Sequence, residues 1–249
     1  MDKYNVYQDM SRRTGGEIYL GIVGPVRTGK STFIKRFMEL VVIPEMSDDN
    51  EKVRTIDELP QSADGKTIMT TEPKFIPKEA AVIHFSNQET GKIRLIDCVG
   101  YLVPEAVGAI EEEKERMVKT PWSEEEIPFS KAAEIGTSKV IREHSNLGLI
   151  ITTDGSFGDI PAVNFEEALQ KTVMECEKAG KPFLILVNTS RPDSQETIQF
   201  TKRLEAQYGK TVMAVNCKTM DREDVFRIME QLLADFPITR LNFLLPKWV

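Results

Sequence analysis

The sequence predicts an α/β fold: an open, mostly parallel but mixed sheet with helices on both faces. Three observations predict it. Short β-rich apolar runs at 18–24, 147–153, 181–188 and 211–215 alternate with stretches of helical periodicity. Two further runs, 81–86 and 92–99, are joined by a polar turn at 87–91, which makes them a hairpin and adds one antiparallel strand. The first run passes directly into a glycine-rich loop and then an amphipathic helix. In such sheets ligands bind beyond the carboxyl ends of the strands, where that loop falls.

The helix after the loop is expected over 31–42, because Phe33, Ile34, Phe37, Met38 and Val41 share one face. The pattern then fails from residue 44 to about 71, and Asp48, Asp49, Asn50, Asp64 and Gly65 mark a long polar loop there. Residues 100 to about 129 contain Pro104, Pro121 and Pro128. Within them, 105–126 carry eight Glu against three Lys or Arg. That balance reads as a solvated, mobile acidic insertion in which Trp122 is the one candidate anchor. A helix is expected over 132–143. Asn164 is placed as the cap of a helix over 165–179 that Gly180 closes. Another helix is expected over 194–208, and Asp221 caps a last one running to about 236. One domain is therefore expected over 1–236, with 237–249 a connector or the start of something further.

Composition narrows the function classes. A chain of 249 residues with 41% hydrophobic and 29% charged residues has the make-up of an ordinary globular protein. A net charge of −7 argues against a nucleic-acid partner, which calls for a basic excess. Cys98, Cys176 and Cys217 are odd in number and far apart, which suits buried free thiols in a reducing compartment. No apolar run approaches the ~20 residues of a membrane-crossing helix, and residues 1–16 lack the apolar stretch of a secretory signal. His84 and His144 read as packed or helix-end histidines rather than catalysts.

The strongest motif is Gly24-Pro25-Val26-Arg27-Thr28-Gly29-Lys30-Ser31, which fits G-x-x-x-x-G-K-[ST] at every fixed position. The glycines let the backbone fold around phosphates with its N–H groups pointing inward. The following helix start, with Thr32 in its first turn, adds partial positive charge. Lys30 is expected to reach the β- and γ-phosphates, and Ser31 to offer its hydroxyl to Mg²⁺. A second motif, Asp97-Cys98-Val99-Gly100, ends a predicted strand roughly 70 residues on. Its Asp97 is expected on Mg²⁺ through water, and the Gly100 N–H on the γ-phosphate. The third element is Thr70-Thr71 at the end of the polar loop. Either threonine can place a hydroxyl on Mg²⁺ and an N–H on the γ-phosphate, so the loop of about 44–73 reads as a switch, followed by a second at about 97–130.

These elements, in this order, resemble the translation-factor-related class of P-loop GTPases. The likeness breaks where those proteins read guanine with N-K-x-D. Here the strand ends in Asn188-Thr189-Ser190-Arg191, with Asp193 two positions late. Arginine cannot accept the hydrogen bonds that guanine offers, so ATP is the expected nucleotide, with Asn188, Thr189 and Ser190 beside the base. A shifted Asp193 is the alternative. Tyr101 stands where many such enzymes carry a water-orienting glutamine, and Arg27 is the candidate source of positive charge in cis.

Six segments go further: 13–16, 24–31, 58–62, 65–75, 97–101 and 151–155. Together they resemble the stage IV sporulation protein A family, the spore-coat morphogenetic ATPases of endospore-forming bacteria. The resemblance implies a lysine and an aspartate of the phosphate site at Lys30 and Asp97, and sensor threonines at Thr70 and Thr71. It implies ATP hydrolysis coupled to self-assembly of a basement layer on the outer forespore membrane, facing the mother-cell cytosol. It also implies coat proteins and a small amphipathic membrane peptide as partners, through regions beyond residue 249. A regulatory GTPase and a nucleotide-binding structural protein without turnover are the competing readings. Asp154-Gly155-Ser156-Phe157-Gly158-Asp159, at the ligand edge, is either a pocket wall or a plain loop.

Overall fold

The computed structural model describes residues 14–60, 72–84, 90–106, 110–111 and 114–234. Its main sheet has six strands: β1 (Glu17–Val23), β2 (Lys74–His84), β3 (Thr90–Asp97), β8 (Leu147–Thr153), β9 (Phe183–Asn188) and β10 (Val212–Val215). They lie in the order β10-β9-β8-β1-β3-β2. All neighbours are parallel except β2 and β3. This is the architecture of a P-loop NTPase, a mostly parallel mixed sheet between two layers of helices.

The alternation within β1 shows how the two layers are fed. Ile18, Leu20 and Ile22 point into one core with Phe33, Phe37, Val225 and Ile228. Val23 and the half-buried Tyr19 point into the other, with Val140, Leu169 and Val173. The first layer is α1 (Lys30–Phe37) and α6 (Arg222–Ala234). The second is α3 (Phe129–Lys139), α4 (Glu166–Ala179) and α5 (Gln195–Tyr208). With both faces covered, the central strands read as continuous apolar runs, and β8 and β9 are buried at every residue. That buried apolar area is the main force holding the sheet between its layers.

Caps set several boundaries as expected. Ser194 Oγ accepts from Thr197 N at 3.2 Å, and Asp221 Oδ1 accepts from Glu223 N and Asp224 N, each at 2.9 Å. Gly180 and Gly209 close α4 and α5 in the left-handed region.

Four expectations need correction. The polar loop after α1 contains a helix, α2 (Asp49–Glu58), capped by Asp48 and started with Asp49 and Glu51 in its first turn. It buries only Thr55 and leaves Val53 and Ile56 exposed, so no apolar stripe signalled it. Strand β2 starts at Lys74, seven residues before the predicted run. A shift of register between Ile76 and Ala81, where the Ile76–Pro77 peptide is cis, hid its first half. The acidic insertion is not irregular throughout. It holds the short pair β4 (Ile110–Glu111) and β5 (Lys114–Glu115), and a hairpin of β6 (Met117–Thr120) and β7 (Ser123–Pro128) with Trp122 at its turn. Phe129 N donates to Arg116 O at 2.8 Å, which ties that hairpin to the start of α3. Finally, Asn164 does not cap α4. It lies inside a 3₁₀ turn, Ala162–Phe165, and α4 starts without a side-chain cap. The predicted turn at 87–91 falls partly, and Thr70, Thr71 and 237–249 wholly, outside the described residues.

Candidate active site

Everything expected of the phosphate end that lies within the described residues gathers beyond the carboxyl ends of β1 and β3. The loop after β1 is tied across to the residue following D-x-x-G, since Val26 N donates to Tyr101 O at 2.9 Å. Gly100 sits at φ 91, and a Cβ there would lie 2.0 Å from Gly24 O and 2.8 Å from Lys30 Nζ. Only glycine lets the two motifs approach so closely. Gly29, at φ 94 and capping α1, is held the same way from the other side, where a Cβ would meet Asn188 Nδ2 at 2.3 Å.

Lys30 is 5% exposed and its ammonium donates to Pro25 O at 2.6 Å and Gly24 O at 3.3 Å. Burial pushes its pKa down, and the Cys98 and Asp97 side chains oppose that shift. Asp97 shows the mirror image. Burial pushes its pKa up, and Lys30, the Ser31 hydroxyl and Lys74 pull it down. Ser31 Oγ donates to Asp97 Oδ2 at 3.1 Å, while Asp97 Oδ1 is buried with no hydrogen-bond partner among the described residues. An enclosed carboxylate oxygen without a donor, beside a serine hydroxyl, is a set of hard oxygens suited to Mg²⁺. Ser31 and Asp97 thus fit that ion.

Sequence reasoning missed Lys74. It pairs directly with Asp97 across β2 and β3, on the same face of the sheet, and its charge bears on that carboxylate. The signal was hidden because β2 was not expected to start there. Thr28 faces inward and donates to Pro25 O at 3.0 Å. Thr32 is half-buried in the first turn of α1. Arg27 is exposed on the loop at φ 62, in the left-handed region that favours glycine. Tyr101 turns away from the phosphate side. Its ring packs with Val26, Val103 and Phe165 and lines a groove of about 350 Å³ between α3 and α4, near Glu134 and Glu175.

The base end is built differently. Asn188 is a bridge: its Nδ2 donates to Thr28 O at 3.0 Å and its Oδ1 accepts from Cys217 N at 3.0 Å. Thr189 is fully buried and its hydroxyl donates to Asp154 Oδ2 at 2.6 Å. Ser190 N donates to Ser156 Oγ at 2.8 Å. Arg191 points outward into an exposed ion pair with Glu196, 2.9 Å long. Asp193 is exposed. The stretch at 154–159, open between pocket wall and plain loop, thus reaches the base-side turn through Asp154 and Ser156.

A family model described as the ATPase domain of stage IV sporulation protein A matches residues 1–237. The chain belongs to that family. Three curated relatives carry the name stage IV sporulation protein A. The one from Bacillus subtilis is 50% identical over 249 residues, covering all of this chain and 51% of the relative. That from Bacillus anthracis is 49% identical over the same length, and that from Clostridioides difficile 48% identical over 245 residues. The chain spans about half the length of these relatives. Among solved structures, a variant of SsGBP matches at a TM-score of 0.46 and 14% identity, over 92% of this chain and 60% of that one. As a member of an ATPase-domain family, the chain has the character of a nucleotide-binding sporulation protein. Among the described residues, no helix is long and apolar enough to cross a membrane.

Proposed function

We propose that this chain is a Mg²⁺-dependent ATPase unit, and that its turnover drives self-assembly of a spore-coat basement layer at the forespore surface, on the mother-cell side. The observation that carries the enzymatic part is the Lys30–Ser31–Asp97 cluster, in which a carboxylate oxygen at the end of β3, beside the phosphate loop, has no hydrogen-bond partner among the described residues. Ser31 and Asp97 would hold Mg²⁺, which would supply positive charge to the nucleotide's phosphates. Lys30, already fixed by two backbone carbonyls, brings its ammonium to the same place with little reorganisation. Thr70 or Thr71 completes the sensor, and Arg27 is the candidate cation in cis. At the base end, the outward Arg191 leaves the guanine-reading position without an acceptor, which favours ATP. The assembly reading rests on the family. Its partners, a second copy, coat proteins and an amphipathic membrane peptide, are proposals for the longer protein.

One observation favours a different reading, a nucleotide binder without turnover. Tyr101, in the place of a water-orienting glutamine, packs between helices instead.

Phosphate release decides between them, measured with ATP and GTP, with and without Mg²⁺. Turnover with ATP that needs Mg²⁺, and that falls about 100-fold or more in Lys30→Ala, is the expected result. Arg27→Ala is the second arm, and an unchanged rate there ends the role in cis. Tight binding with no release selects the non-hydrolysing reading. A preference for GTP brings back the regulatory GTPase, with Asp193 as the base reader.

A further inference from the structure

The Asp154 side chain is used by none of the chemistry above, yet it is the hub of the base side. Strands β8 and β9 are parallel and pair Thr153 with Asn188 at their carboxyl ends. The next residue on each, Asp154 and Thr189, therefore lie side by side where the sheet stops. Asp154 Oδ2 accepts from Thr189 Oγ1 at 2.6 Å and from Thr197 Oγ1 at 3.4 Å, and Oδ1 accepts from Ser156 N at 3.0 Å. The network continues outward. Ser156 Oγ donates to Thr189 Oγ1 at 3.3 Å and accepts from Ser190 N, while Arg191 N donates to Thr189 Oγ1 at 3.1 Å. The Ser190 and Arg191 N–H groups thus end on the hydroxyls of Ser156 and Thr189, two residues that Asp154 holds by a backbone N–H and by a hydroxyl, while Thr189 N donates to Val215 O at 2.9 Å.

We propose that Asp154 is a positioning residue that holds the turn 188–191 through Thr189 and thereby sets selectivity for the nucleotide base. The inference rests on the nucleotide-hydrolysing reading above. Its physical basis is that an ionised acceptor makes stronger hydrogen bonds than a neutral one, so a single carboxylate that holds the Thr189 hydroxyl and the Ser156 N–H can fix the two residues on which the Arg191 and Ser190 amides rest. Burial alone raises the Asp154 pKa, but hydrogen bonds from Ser156 and Thr189 outweigh it and hold the pKa below the usual carboxylate value. The neighbouring Asn188 has its own anchors on Thr28 and Cys217, independent of Asp154. Loosening the turn therefore leaves the phosphate loop tied down. The effect falls on base contacts and not on the reacting phosphate.

The test compares KM and kcat for ATP and GTP in the wild-type chain, Asp154→Asn, Thr189→Val and Thr189→Ser, with thermal melting of each. Thr189→Val keeps the shape and removes the hydroxyl. The expected result is a KM for ATP raised about tenfold in Asp154→Asn and Thr189→Val, a narrowed ATP-over-GTP preference, and kcat within about twofold. Thr189→Ser, which keeps the hydroxyl, restores the preference lost in Thr189→Val. Unchanged KM and base preference in both folded variants overturns the proposal, as does a kcat that falls in step with melting temperature. Nucleotide turnover absent from the wild-type chain overturns the parent reading and this inference with it. Turnover present with variants indistinguishable from wild type overturns the inference alone.

Discussion

The phosphate end and the base end of the site are held by different kinds of bond. At the phosphate end the shape is backbone: Gly100 against the Gly24 carbonyl, Val26 N on Tyr101 O, and an ammonium on the carbonyls of Gly24 and Pro25. Two charged side chains and one hydroxyl complete it. At the base end the shape is made largely by side chains: the Thr189 and Thr197 hydroxyls and the Ser156 N–H meet on one carboxylate, Asp154, and the Ser156 hydroxyl donates to Thr189. Asn188 joins the two ends. Backbone shape leaves no choice of residue where a Cβ would strike a carbonyl, so the phosphate end keeps its motif. Side-chain networks can be rebuilt with other residues, and here Thr189 and Arg191 occupy positions that a guanine reader gives to Lys and Asp.

The largest expected effect comes from breaking the backbone contact. In Gly100→Ala the new Cβ would stand 2.0 Å from a backbone oxygen at a φ of 91. The left-handed conformation alone costs about 1–2 kcal/mol for an alanine, and the displaced carbonyl is not a flexible side chain. Turnover should fall by about two orders of magnitude, with melting lowered by several degrees. Phosphate release and thermal denaturation check both. Near-normal turnover would show that the phosphate end tolerates a shift and is not held by backbone shape.

This difference between the ends also explains what was legible in the sequence. Gly24, Gly29, Lys30, Ser31, Asp97 and Gly100 were legible as two local motifs of fixed spacing, each following an apolar run, β1 or β3, that the structure brings side by side. Lys74 was missed because a register shift broke the β2 pattern. Asp154 and Thr197 stand 43 residues apart and meet only at the sheet end. No local spacing signals such a contact. Helix α2 was missed for a related reason, since a helix that buries one residue carries no apolar period. The departure at Arg191 was legible, but its outward turn to Glu196 was not.

A smaller effect should follow from putting an acceptor back at the base end. Arg191→Asp removes an ion pair whose partners are 58% and 74% exposed, so stability should change by less than about 1 kcal/mol. If the turn already presents position 191 to the base, the new carboxylate should improve GTP relative to ATP several-fold. Competition of each nucleotide for the site measures this directly. No change in relative affinity would mean that the Asp154 network holds residue 191 outside the pocket, and that loss of the acceptor is not what disfavours guanine.

The smallest effect is expected at the Tyr101 hydroxyl, which belongs to neither end. Burial pushes its hydroxyl pKa well up, and Glu134, Glu175 and the buried thiols add to that, so the phenol stays protonated throughout the working pH range. Tyr101 faces the groove between α3 and α4, and it touches the phosphate loop at Val26, through its ring and through its backbone carbonyl, but not through any hydrogen bond of its hydroxyl among the described residues. Tyr101→Phe keeps the ring and the carbonyl and removes only the hydroxyl, so turnover should stay within about twofold, since no group at the reacting phosphate is altered. A loss of tenfold or more would place that hydroxyl in the chemistry. It would mean that the side chain swings from its groove to the phosphate when nucleotide binds, and that the position after D-x-x-G still works on the attacking water.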